Sequence, residues 1–117
     1  MSKKEQVLMC NNIFENLLEQ LAPYIGSNYS FQFKQLTRFN QIMPIQKFSE
    51  NCLQYKIQIF DKNPQYFLEK DYSQDTNDYL NEIMNLKNIY TKLDSISRDN
   101  LWEILQALTL LSEQYSL

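Results

Sequence analysis

The chain has no histidine. That absence removes the commonest general base, the commonest zinc ligand and every Ser–His or Cys–His catalytic pairing. Glycine occurs once, at Gly26, so no glycine-rich loop can cradle a phosphate. Two cysteines, Cys10 and Cys52, lie too far apart for a C-x-x-C redox or zinc motif. No spacing of acids singles out a general acid–base pair. Together these absences predict a protein that is not an enzyme and takes no cofactor and no metal.

Basic runs are also missing. Lys3–Lys4 is the longest, and the formal net charge is −3. A nucleic-acid binder normally carries a cationic stripe that displaces counterions from phosphates, so nucleic acid is a disfavoured partner. A helical nucleic-acid-associated factor stays open as an alternative through a local patch of Lys87, Lys92 and Arg98. No apolar segment approaches the length of a membrane span, and no apolar signal run opens the chain. The expected location is therefore inside a cell, without secretion. On that expectation Cys10 and Cys52, both in apolar-periodic surroundings, read as two buried thiols, and the N-x-S match at Asn28 is incidental.

What the chain does contain points to helices. Its 117 residues are 44 % hydrophobic, with one Trp, eight Tyr and seven Phe, enough for one domain spanning 1–117 with its own core. Few glycines and prolines, with many Leu, Ile, Gln, Glu and Lys, favour an all-α fold. The expectation is a compact bundle of about five amphipathic helices joined by short loops.

The first helix runs from about Ser2 to Tyr24. Ser2 and Glu5 have capping-box spacing, and Val7, Cys10, Phe14, Leu17 and Leu21 form the stripe. The second spans Ser30 to Ile42, with Phe33, Leu36, Phe39 and Ile42 or Met43 on its apolar stripe. Met43 is pushed toward extended backbone by Pro44, and a third helix follows from Ile45 to Phe60. Asn63 and Pro64 suit a short helical turn that buries Phe67 and Leu68. A fourth helix starts near Asp75 or Asp78 and reaches Leu93. A fifth is capped by Ser97 and carries Leu101, Leu105, Leu108 and Leu111 in one row, broadened by Trp102 and Ile104.

The stretch "DYSQDTNDYLNE", Asp71 to Glu82, imitates a calcium loop. Asp71, Ser73, Asp75 and Glu82 occupy the side-chain ligand positions. The sixth position needs glycine for a sharp turn and holds the β-branched Thr76, while the inward aliphatic position holds Asp78. No second loop pairs with it. The same letters suit a polar joint that starts a helix, since Asp, Thr and Asn favour turns and N-termini. The joint is the expectation.

Around it lie Tyr66, Phe67, Tyr72 and Tyr79. They either close one end of the bundle or form a protein-contact patch with Trp102, because Tyr and Trp are enriched in interfaces. Tyr24 and Tyr29 allow the same reading. Trp102, beside the Leu row, fits the core better than a contact.

Two segments, "FSENCLQYKIQIFDKNPQYFLEKDY" and "IYTKLDSISRDNLWEILQALTLLSEQY", carry a resemblance. Over residues 45–115 the chain resembles small α-helical proteins of nucleocytoplasmic large DNA viruses, the giant-virus group. Ile59, Asp61 and Phe67 match in the first segment, and Asn100, Trp102, Leu105 and Leu108 in the second. The resemblance implies a viral source and a helical fold rather than an activity. The expected function is a protein–protein interaction or structural protein of the virion or virus factory, in host cytoplasm or virion. Its partner is another protein or a second copy. A helical-bundle mimic of host cell-death regulators is a further alternative; it requires a surface groove around one buried central helix.

Overall fold

The computed structural model describes residues 1–63 and 90–117. The described residues are helical, with no strand among them. They form α1 (Lys3–Ile25), α2 (Asn28–Phe39), α3 (Met43–Cys52), a 3-10 turn (Leu53–Tyr55), α4 (Lys56–Phe60), a second 3-10 turn (Tyr90–Lys92) and α5 (Ser95–Ser116). The all-α class is as expected. Against the expectation of about five amphipathic helices over the whole chain, four helices among the described residues have ten or more residues, and α4 has five.

α1 begins as its sequence dictates. The Ser2 hydroxyl accepts from the Glu5 amide and donates to Glu5 Oε1, each at 3.1 Å. The reciprocal bond of a capping box normally runs to the Ncap amide; here the acid takes the hydroxyl proton instead. Pro23 lies inside the last turn without ending the helix. Its missing N–H costs one bond near a terminus that frays in any case. The stop comes at Gly26, whose amide donates to Ala22 O at 2.8 Å with φ of 91° and ψ of 161°. That backbone region is open essentially to glycine alone. A Cβ at Gly26 would meet nothing within 4 Å, so only backbone strain penalises a side chain. Gly26→Ala is expected to cost about 1–3 kcal/mol in denaturant unfolding while leaving the helical circular dichroism spectrum unchanged.

α2 turns back along α1. The Glu19 carboxylate meets Lys34 at 3.7 Å, and Asn11 Nδ2 donates to Gln41 O at 3.0 Å. The helix stops at Phe39, earlier than the expected Ile42, because Asn40 is extended (φ −149°, ψ 92°) and its Oδ1 accepts from the Ile42 amide. Such Asx turns compete with helical bonding.

Two further boundaries differ from expectation. Met43 is the first residue of α3 rather than an extended break, since Pro44 stands in the first turn, where a missing N–H costs nothing. The expected continuous helix from Ile45 to Phe60 is interrupted at Leu53–Tyr55. Just before that point, Ser49 Oγ and Asn51 Nδ2 bond the carbonyls of Ile45 and Lys47, both four residues back. Back-bonding of this kind bends helices. The tighter turn re-aims the stripe so that Ile59 is buried. α4 closes with the Asn63 amide on Gln58 O and the Lys62 amide on Ile59 O, a Schellman arrangement with Lys62 at φ 54° in the position glycine usually takes.

α5 is capped by Asp94, not Ser97. The Asp94 carboxylate accepts from the Ser97 amide at 2.7 Å, so Ser97 supplies the capped N–H instead of the cap. That backbone bond, with the Ser97 hydroxyl second, holds the Asp94 carboxyl below its ordinary pKa. Where the fourth helix was expected to reach Leu93, the described residues Tyr90–Lys92 form a 3-10 turn. Its start near Asp75 or Asp78, and the turn of Phe67 and Leu68, lie outside the described residues.

α5 rests on α1, α3 and α4, and α1 also on α2 and α3. Buried Thr109 and Ser112 return their hydroxyls to Leu105 O and Leu108 O, each at 2.7 Å. Small side chains there let α3 approach: Ser49 Oγ lies 3.5 Å from Ser112 O and 3.4 Å from Ser116 Oγ. Lys3 Nζ donates to Tyr115 O at 2.9 Å and stands 5.0 Å from its ring, joining the two ends of the chain. The core is one cluster from Val7 to Leu111, with Phe14 touching Phe33 of α2 and Phe48 of α3.

Candidate functional site

Asp71, Ser73, Asp75 and Glu82 of the calcium-loop look-alike lie outside the described residues, as do Tyr66, Tyr72, Tyr79 and Lys87. Among the described residues no three His, Cys, Asp or Glu side chains come together as a metal site would need. A depression of about 30 Å³ between α1 and the start of α5 has Leu17, Leu21, Leu93 and Leu101 in its lining. That volume holds roughly one water, far below the several hundred Å³ of a ligand pocket.

Trp102 is 3 % exposed, which is its core reading. Its Nε1 donates to the Tyr90 hydroxyl at 3.2 Å, and the two rings pack edge to face with centroids 6.0 Å apart. Arg98 belongs to the same cluster. Its Nε donates to Tyr90 O at 3.0 Å, another guanidinium nitrogen to Thr91 O at 3.3 Å, and the group lies 4.8 Å from the Tyr90 ring centre. Arg98 therefore ties the Tyr90–Lys92 turn to α5. Two of its five N–H donors are engaged there, and Lys92 in the same turn is exposed.

The cysteines differ from each other. Cys10 is fully buried, and burial pushes its thiol up to about 12. Cys52 is only half-buried, which corrects the expectation of two buried thiols: it ends α3 where the chain tightens into the 3-10 turn. An acid whose folded pKa is raised holds its proton in the fold and loses it on unfolding. Cys10 thus contributes its full stabilisation below pH 9, the ordinary thiol value, and loses it progressively as pH rises toward about 12. Stability should decline by up to about 1.4 kcal/mol per pH unit from this residue within that window. Denaturant midpoints taken across it should show a flatter slope in Cys10→Ala. At pH 8 a thiol reagent should modify Cys52 readily, and Cys10 only after denaturation.

Both long helices keep solvent-facing sides: Leu8 and Met9 are exposed on α1, and Leu110 on α5.

The largest departure from the sequence reading is on α2. Phe33 is fully buried and Leu36 half-buried as expected, yet Phe39 is 92 % exposed and Ile42 46 %. Steps of three residues fall short of a helical turn by about 60° each, so two steps place Phe39 roughly 120° around from Phe33. Phe39 shares the outer side of α2 with Phe31, Gln35 and Arg38, at spacings i, i+4, i+7 and i+8. All four are exposed, Phe31 to 61 %. The ion pairs among the described residues are Lys34–Glu19, Lys47–Glu50 and Lys56–Glu113; Arg38 is in none. Ile57, Phe60 and Ile96 are exposed too, and flank residues 64–89 in sequence.

One signal for this face was legible in the letters. Residues 20–49 hold Lys34, Arg38 and Lys47 and none of the fourteen acids. Phe31 and Arg38, seven residues apart, lie on the face opposite buried Phe33. No helix of the described residues is long and apolar enough to cross a membrane. No protein-family model, no curated protein and no solved structure matches the chain.

Proposed function

We propose that this is a non-enzymatic protein–protein interaction protein. The observation that carries the reading is the outer face of α2, where two phenylalanines and an arginine stand in solvent. Exposing Phe39 almost completely forfeits roughly 2 kcal/mol of burial that the fold does not recover. Aromatic residues and arginine are the types enriched at interfaces. The lack of histidine removes the commonest general base. The resemblance to giant-virus proteins supports work in host cytoplasm, virus factory or virion.

The test is affinity capture of the tagged chain from its native source, with an unfolded variant as background, beside light scattering of the pure protein. A stoichiometric partner, or a defined oligomer, is expected. A strict monomer that captures nothing above background contradicts the reading.

A further inference from the structure

We infer that the Phe31–Gln35–Arg38–Phe39 face of α2 docks an acidic amphipathic helical segment of a partner protein, a specification that rests on the interaction reading above. Three observations select this occupant.

The first is charge. α2 carries Lys34 and Arg38 and no acid, and the whole span 20–49 is acid-free in a chain of net charge −3. α2 itself therefore brings no acid to this face, and Glu19 of α1 pairs with Lys34 across to it. Lys34 is held by Glu19 only through an exposed contact at 3.7 Å, of the kind that water screens and a better anion displaces.

The second is the reach of that charge. Surface potentials decay within about 8 Å at physiological salt, so a short acidic segment seated on α2 feels Arg38 and Lys34. An extended polyanion, whether duplex nucleic acid or an anionic bilayer, also meets the net negative remainder of the molecule. A second copy docking α2 against α2 would place like charges together, which costs affinity in a symmetric interface. An acidic partner segment meets neither objection.

The third is shape. Phe31 and Phe39 are two turns apart, about 12 Å along the helix, with Gln35 and Arg38 between them. A partner helix lying along α2 can seat apolar side chains against both rings while its flanking carboxylates reach the cations. The rings anchor, and the charges set orientation and partner sign.

The probe is a synthetic peptide of about 20 residues, with Leu or Phe at i, i+3, i+4 and i+7 and Glu or Asp at most other positions. Its twin carries Lys in place of each acid. Fluorescence anisotropy should show micromolar binding of the acidic peptide to the full chain, weakening as salt is raised, and none of the basic twin. Phe31→Ser/Phe39→Ser and, separately, Arg38→Glu should each weaken it about tenfold or more, with circular dichroism unchanged. Equal binding of both peptides, or of neither, overturns the proposal. Acidic-peptide binding undiminished in both variants overturns this surface while leaving the interaction reading intact. Binding to phosphatidylserine vesicles without binding to the peptide reassigns the face to a membrane and overturns it too, as does wild-type self-association abolished by the double variant. The interaction reading falls only on the capture and light-scattering result.

Discussion

Phe14→Ala is expected to cost about 3–5 kcal/mol, a large share of the stability of a domain of this size. Phe14 is fully buried on α1 and is the meeting point of three helices. Its ring lies 5.7 Å from Phe33 of α2 and 6.1 Å from Phe48 of α3, the second pair edge to face. Truncation removes the transfer energy of the ring, leaves a cavity, and strips both neighbouring rings of a partner. Phe→Ala changes in cores cost about 3–5 kcal/mol. A domain of this size is stable by about 5–15 kcal/mol in all. Denaturant unfolding followed by circular dichroism should show a midpoint far below that of the wild type. Phe14→Leu, which keeps most of the volume, should fold. A midpoint for Phe14→Ala close to wild type would show that α1, α2 and α3 do not share this core.

Trp102→Ala should be nearly as costly, about 3–5 kcal/mol, but for a different reason. Trp102 links α5 to the Tyr90–Lys92 turn through both ring packing and the Nε1 bond to the Tyr90 hydroxyl, while Arg98, one helical turn earlier on α5, fastens the same turn by its carbonyls. Losing the indole removes buried area and frees the phenol at once. Trp102→Phe separates the two terms. It keeps most of the packing, gives up one hydrogen bond, and should cost about 0.5–1.5 kcal/mol. Because Trp102 is the one tryptophan in the chain, native emission reports on this site alone. It should be blue-shifted and move red on unfolding. A red, solvent-like native spectrum would place the indole outside the core.

These two residues were legible in different degrees. Phe14 falls in a stripe where α1 alternates three- and four-residue steps, so the buried face stays aligned over several turns. The Leu101–Leu105–Leu108–Leu111 row of α5 was readable for the same cause, and all four are buried. The α2 stripe was not readable by spacing alone. Its steps are all threes, the apolar line drifts around the helix, and Phe39, its last member inside α2, ends almost fully in solvent. Boundaries were less legible than faces, since caps compete locally. Asp94 and Ser97 are both good N-caps, and which one wins depends on where the preceding turn delivers the chain. The break at Leu53–Tyr55 follows from side chains bonding back to carbonyls, which no periodicity reports. The tyrosines and acids that drew attention in the letters, Tyr66 to Glu82, fall outside the described residues. Of the candidate surface, Phe39 was expected in the core, and Phe31, Gln35 and Arg38 stood outside every expected stripe.

The central claim is that the α2 rings are held for a partner and not for the fold. The thermal or denaturant midpoint of Phe31→Ser/Phe39→Ser tests it most directly. Exposed substitutions away from caps and packing change stability by about 0.5 kcal/mol at most, so the double variant should unfold within about 1 kcal/mol of wild type. A loss of several kcal/mol would contradict it, because the rings would then be part of the core.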